Sequence, residues 1–280
     1  TIYAKDGIYE KITIVDGRLD GRPARFLFLD NGWSSAMYLN SDELAYEYTK
    51  YYQLYTLFKK QPKNVLVLGG GAYSMPKALL KNLPETRVDV VEIEPKLFNL
   101  AKDYFYLPES SQLTNYVEDG RRFLDKNKKT YDAIIVDVYY SFFSLPIHFT
   151  TKEFFTLVKN RLSDDGFFIG NFAGDLVKKK PSFIWSEIKT FRQIFPNSYF
   201  FAVDSPQLEN PQNIIFLGIN GSEKIDFDSP AITKNNNPIL QNIGQKNIVV
   251  DESQLSQYQN LTDNFAPVEY LIGTSIKRWY

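Results

Sequence analysis

Residues 64–94 read NVLVLGGGAYSMPKALLKNLPETRVDVVEIE, and the reading of this stretch decides the fold. An apolar run from Val65 to Leu68 feeds Gly69, Gly70 and Gly71, a helix-like segment follows near 76–83, and a second run, Val88 to Val91, ends on Glu92. Adjacent glycines let the backbone turn tightly and approach a ligand without side-chain obstruction. Glu92 comes about twenty residues after the glycines, the reach at which a carboxylate accepts hydrogen bonds from ribose hydroxyls. Ser74 stands where Gly-x-Gly-x-x-Gly would have its last glycine. No Lys follows the glycines, so a phosphate-cradling P-loop is not expected.

Beyond this unit, strand-like runs at Ala133–Val136 and Phe167–Gly170 alternate with helical patterns near 95–104, 120–127 and 151–162. Alternation at this spacing predicts a parallel, doubly wound sheet. Tyr199 to Val203 and Asn213 to Ile219 are separated only by a Pro-containing loop and predict an antiparallel hairpin. The expected class is therefore α/β, a Rossmann-like sheet of the S-adenosylmethionine-dependent methyltransferase type, an assignment by fold-level analogy. Ahead of it, residues 8–40 read as a small β unit with turn pairs at Asp16-Gly17 and Asp20-Gly21. A helix is expected from Asp42 to Phe58, closed by Gln61-Pro62. The expected division is residues 1–55, the β unit and its connecting helix, and 56–280, a nucleoside-binding domain. Its last part, 221–280, reads as a loop-rich wrap with one short helix around 252–258.

Composition narrows the chemistry. The 280 residues carry 32 basic and 33 acidic side chains, a formal balance of −1, so no field favours a nucleic-acid partner. With no Cys and only His148, thiolate and multi-histidine metal sites are excluded, and no metal is expected. No apolar run reaches the roughly 20 residues of a membrane-spanning helix, so no direct membrane insertion is expected. The 19 Tyr and 22 Phe fit an aromatic-rich core better than a base-stacking platform, because no basic stripe accompanies them. His148, close after Asp137, reads as a packing or capping residue at the helix start near 150.

In a doubly wound sheet ligands bind beyond the carboxyl ends of the strands. Three of those ends are acidic: Glu92, Asp119 in Asp119-Gly120 after Tyr116-Val117, and Asp137 after Ile134-Ile135-Val136. Singly, each could be a helix cap or an exposed loop acid. Together they suit an adenine nucleoside, with acceptors for ribose and adenine and one acid near a reacting centre.

The motifs GGG after the first long strand, VEIE at 91–94, EDGRRFL at 118–124 and YDAIIVD at 131–137 resemble those of the polyamine aminopropyltransferases, the spermidine synthase family. The resemblance runs from the β unit at Ile8 to Asp30 and the Asp42-to-Tyr46 segment through the hairpin near 219. Leu145-Pro146-Ile147-His148, FTTKEFF and LTDNFAPVEYL at 261–271 resemble a branch that can be fused to membrane segments, which fits a chain that begins at Thr1. The resemblance implies a cytoplasmic protein, alone or as the soluble part of a larger membrane protein. It also implies a homodimer built partly through the N-terminal β unit.

By the same resemblance the glycines and Glu92 hold the nucleoside of decarboxylated S-adenosylmethionine, or of S-adenosylmethionine, and Asp119 with Gly120 holds its adenine end. Asp137 would take a proton from the attacking amine, assisted by Tyr46. The amine side departs from the family pattern. Ala72 replaces the acid of Gly-Gly-Gly-Asp-Gly-Gly, and Tyr140 replaces the second aspartate of the Asp-Ser-Thr-Asp segment. Glu47 replaces a Gln or His, and Glu10 a Gln. Each lost charge-assisted hydrogen bond to a polyamine costs about 1.5–3 kcal/mol, which Glu10, Glu47 and cation–π contacts from Tyr140 or Phe142 would offset in part. The expected activity is aminopropyl transfer to a small amine or polyamine with altered or reduced specificity. The alternatives are methyl transfer from S-adenosylmethionine, or a non-catalytic nucleoside-sensing or structural domain.

Overall fold

The computed structural model describes residues 1–30, 32–58, 61–138 and 145–279. Among them two sheets form. The first is antiparallel, in the order β1 (Tyr3–Asp6), β2 (Lys11–Leu19), β3 (Arg22–Leu29), β4 (Gly32–Tyr38). The β2–β3 turn is Asp20-Gly21, with positive φ at both residues, as a two-residue hairpin turn requires. Asp16-Gly17, expected as a second turn, lies inside β2 opposite Arg25 and Ala24. The Arg25 Nε donates to Asp16 at 2.6 Å, a cross-strand ion pair that holds the acid in the ladder.

The second sheet is built from β5 (Asn64–Leu68), β6 (Arg87–Glu92), β7 (Leu113–Val117), β8 (Tyr131–Val136), β9 (Leu162–Gly174), β10 (Ser198–Ala202) and β11 (Gln212–Ile219), in the spatial order β10-β11-β9-β8-β5-β6-β7. The pairings from β7 through β9 are parallel, and β11 enters antiparallel between β9 and β10. This is the expected methyltransferase-type sheet with its terminal hairpin. Strands β5, β6 and β8 are nearly continuous aliphatic runs because both faces are covered. Helices α1 (Glu47–Lys50), α2 (Ser74–Asn82), α3 (Leu97–Phe105), α4 (Gly120–Lys126), α5 (Lys152–Arg161) and α6 (Phe183–Ile194) fill the crossovers and flanks.

Alternate residues of each strand enter two separate cores. Val65, Val67, Val88, Val90 and Ile135 belong to one core that also takes in Ile12, Ile14 and Leu27 of the small sheet. Leu66, Leu68, Ile134 and Val136 pack with Phe154, Phe155 and Phe191 of α5 and α6 in the other.

Two further expectations change. The helix expected over Asp42–Phe58 begins only at Glu47 and passes at Tyr51 into a 3-10 helix, Tyr51–Leu57. Leu44 bridges back to Met37, which keeps the chain extended up to that point. Tyr51 with Leu54, and Tyr52 with Tyr55, are buried at a spacing of three, the period of the tighter helix. The loop-rich reading of 221–280 included the short helix found at Glu252–Leu255 but missed Val268–Trp279. That C-terminal helix is pinned to β9 by Asp175, which accepts from Ser275 and from Arg278 at 3.0 Å. No helix among the described residues is long and apolar enough to cross a membrane.

Candidate active site

The order of strands reverses on either side of β5, so the crevice at its carboxyl end lies between the loops after β5 and β8. The backbone closes there tightly: Gly69 N–H donates to Val91 O at 2.9 Å and Asp137 N–H to Leu68 O at 3.0 Å. Gly69 has φ +90°, and a Cβ on it would collide with the carbonyl of Asp137. Tyr73 takes a left-handed φ of 57° as α2 starts, and its hydroxyl reaches Asn115 at 2.5 Å.

Glu92 meets this loop. Its Oε2 accepts from the Gly70 N–H at 2.7 Å and the Gly71 N–H at 3.1 Å, and its Oε1 from Glu94 N–H at 2.9 Å. Burial pushes its pKa up, and these backbone donors partly oppose the rise. The next acid outward, Glu94, accepts from Ile8 N–H at 2.6 Å and so ties the β1–β2 connection to the crevice. Ser35 of β4 accepts from Ala72 N–H at 3.2 Å, a second tie from the small sheet to the Gly loop.

Asp119 caps α4 by accepting from Arg122 N–H at 2.8 Å. Its other oxygen lies 3.1 Å from His148 Nε2. Burial raises its pKa, but the contacts with His148 and the cap outweigh that and leave it below the usual aspartate range. His148 therefore does more than pack at a helix start. Arg121 donates to the His148 carbonyl at 3.0 Å and pairs with Asp263, which also accepts from the α5 cap Thr151 at 2.7 Å. The segment at 261–265 thereby braces the Asp119 corner.

Asp137 is enclosed. Asn171 of β9 donates to its Oδ1 at 3.1 Å, the Tyr48 hydroxyl donates to Oδ2 at 3.2 Å, and Asn213 of β11 in turn donates to Asn171 at 2.9 Å. Burial raises its pKa against the lowering contacts with Asn171, Tyr52 and Tyr48. The Tyr48 hydroxyl thus reaches Asp137 directly. Tyr46 stacks on Tyr48 with ring centroids 6.0 Å apart and lines the same pocket; its own hydroxyl is buried, and burial pushes its pKa up to about 12.

The acids converge on one open cleft. Glu10, Glu92, Glu94, Glu118, Asp119 and Asp137 line it, and no Lys, Arg or His stands among its described lining residues. Glu10, drawn in by the small sheet, has its pKa raised to about 7 by burial and by the charges of Asp30, Glu92 and Glu94. Gly69, Gly71 and Gly120 line the same cleft. Glu47 does not join it: the side chain pairs with Lys50 at 3.0 Å in a separate groove shared with Asp42, Lys77 and Lys81. Tyr140 and Phe142 lie outside the described residues.

Sequence reasoning missed Tyr48, Asn171 and Asn213. Asn171 had a signal, a polar residue directly after the apolar run Phe167–Gly170, although β9 continues past it to Gly174. Tyr46 and Tyr48 differ only by which one the short helical turn at 47–50 presents to β8, and nothing in their spacing decides that.

A spermine/spermidine synthase domain matches residues 50–229. A polyamine aminopropyltransferase of Vibrio vulnificus is 26% identical over 222 residues, 77% of this chain and 72% of the relative. An N-terminal histidine N-methyltransferase of Emericella nidulans is 34% identical over 176 residues, 60% of this chain but only 30% of that protein. Among solved structures, a probable spermidine synthase of Corynebacterium glutamicum superposes with a TM-score of 0.76 at 21% identity, over 95% of this chain and 97% of that one.

Proposed function

The chain belongs to the spermine/spermidine synthase family, and on that premise we propose that it binds decarboxylated S-adenosylmethionine in the acidic cleft and transfers its aminopropyl group to an amine. The observation that carries this reading is the convergence of Glu92, Asp119 and Asp137 on one cleft without a basic lining residue among those described. Glu92 accepts ribose hydroxyls while it fastens the Gly loop. Asp119 accepts from the adenine amino group, its own orientation set by the Arg122 cap and His148. An all-acidic wall favours a ligand that carries positive charge and no carboxylate, which describes decarboxylated S-adenosylmethionine better than S-adenosylmethionine.

The amine arrives as an ammonium ion and is nucleophilic only after losing a proton. Asp137 is the acceptor in reach, and burial makes it more basic than an exposed aspartate. The amine nitrogen then bonds to the aminopropyl carbon, the carbon–sulfur bond breaks, and its electron pair leaves on sulfur as neutral methylthioadenosine. Calorimetry with methylthioadenosine tests the reading: binding is expected in the micromolar range, and absence of heat at millimolar ligand refutes it. A second reading, methyl transfer from S-adenosylmethionine, draws on the likeness to the Emericella nidulans methyltransferase. Tighter binding of S-adenosylmethionine than of its decarboxylated form would favour it.

A further inference from the structure

Next to Asp137, on the side of the Gly loop and the first helical turn, lies a second, smaller pocket walled by Tyr46, Tyr48, Tyr52, Ser74 and Met75. Two of its groups are orphaned. The Tyr46 hydroxyl and the Ser74 Oγ are both buried with no hydrogen-bond partner among the described residues. Buried polar atoms without partners are rare, and two facing one pocket mark a place where a ligand or water completes them. Ser74 is the residue that breaks the Gly-rich fingerprint, so the hydroxyl exists because a glycine does not. Asp137 is the only charged group among the pocket's described lining residues.

A primary ammonium carries three N–H donors. Asp137, Tyr46 and Ser74 offer it one anionic and two neutral acceptors, and Tyr46 and Tyr48 also line the pocket. Ala36, Met75 and Pro76 add apolar wall beside Ser35, Thr49 and Tyr52. A second ammonium in the same pocket would find no second carboxylate among its described lining residues. Burying an unpaired charge is far costlier than burying a methylene chain.

From this arrangement, and resting on the aminopropyl-transfer reading above, we propose that Ser74 and Tyr46 with Asp137 form a single-ammonium site, and that the acceptor is a primary monoamine. In the step itself the ammonium proton passes to Asp137, the freed nitrogen attacks the aminopropyl carbon, and methylthioadenosine leaves with the carbon–sulfur electron pair. The product is a secondary amine.

The test is methylthioadenosine release by the full chain with decarboxylated S-adenosylmethionine and a panel of n-butylamine, phenethylamine, putrescine and an α-amino acid. The monoamines are expected to exceed putrescine in kcat/KM by about 10-fold or more, the worth of one charge left unpaired. Ser74→Ala and Ser74→Gly are each expected to raise the KM for the monoamine by about 10-fold with methylthioadenosine affinity unchanged. Preference for putrescine or the amino acid, or a monoamine KM indifferent to both Ser74 variants, overturns the single-ammonium site and leaves aminopropyl transfer standing. Failure of every amine to release methylthioadenosine overturns both.

Discussion

The Tyr48 hydroxyl donates to Asp137 Oδ2 at 3.2 Å while Asn171 occupies Oδ1 at 3.1 Å, so the buried carboxylate is held from two elements at once. Donors to the ionised form lower its pKa against the rise from burial. Tyr48→Phe removes one of them and is expected to raise the Asp137 pKa. The acid limb of the kcat/KM profile then moves to higher pH, and activity near neutrality falls by about 10-fold. A pH–rate profile of the variant beside the wild type checks the direction.

Gly69 sits at φ +90° with no room for a Cβ against the Asp137 carbonyl. Gly69→Ala is expected to cost at least about 1–3 kcal/mol of stability. It also displaces Asp137, so transfer is lost even in the folded fraction. Denaturant unfolding together with methylthioadenosine calorimetry separates the two effects.

Glu10 holds its proton to about pH 7, well above an unfolded glutamate. Because the folded-state pKa is the higher one, the stabilising contribution is complete below the unfolded value of about 4.3. It is lost as pH rises through about 7. Glu10→Gln is expected to flatten the decline in stability between these values. Thermal melts across the interval, compared with wild type, read the slope.

Glu187 of α6 is fully buried, and neither carboxyl oxygen has a partner among the described residues. Burial alone raises its pKa well above the ordinary range. Its contribution follows the same sign, present at acid pH and lost as pH rises through the elevated value. Glu187→Met removes the stranded carboxyl at similar length and is expected to add about 1–3 kcal/mol at neutral pH. Equal stability of the two proteins at pH 8 would count against this account.

The large sheet was legible because β5, β6 and β8 hold short apolar runs followed by Gly or acid, whereas β9 runs well beyond the expected Phe167–Gly170 at both ends. The convergence of Glu92, Asp119 and Asp137 on one cleft was legible because each stands at or just after the carboxyl end of a strand. What escaped depends on distant neighbours. Leu44 pairing with Met37 delayed the first helix, and Arg25 opposite Asp16 turned an expected turn into strand. The C-terminal helix has apolar residues at Val268, Leu271 and Ile272, a spacing that was present but outweighed by the Asn-rich stretch before it. Ser74 read first as a flaw in a fingerprint, and only its burial beside Tyr46 and Asp137 suggested a use for it.

The most direct measurement is transfer from decarboxylated S-adenosylmethionine labelled in its aminopropyl group, run with wild type and Asp137→Asn side by side. Aminopropyl transfer predicts labelled product and methylthioadenosine in equal amounts from the wild type. In Asp137→Asn, methylthioadenosine binding should be retained and the rate should fall by at least about 100-fold. Label that stays on the nucleoside in the presence of every amine, or a rate indifferent to Asp137→Asn, would contradict it.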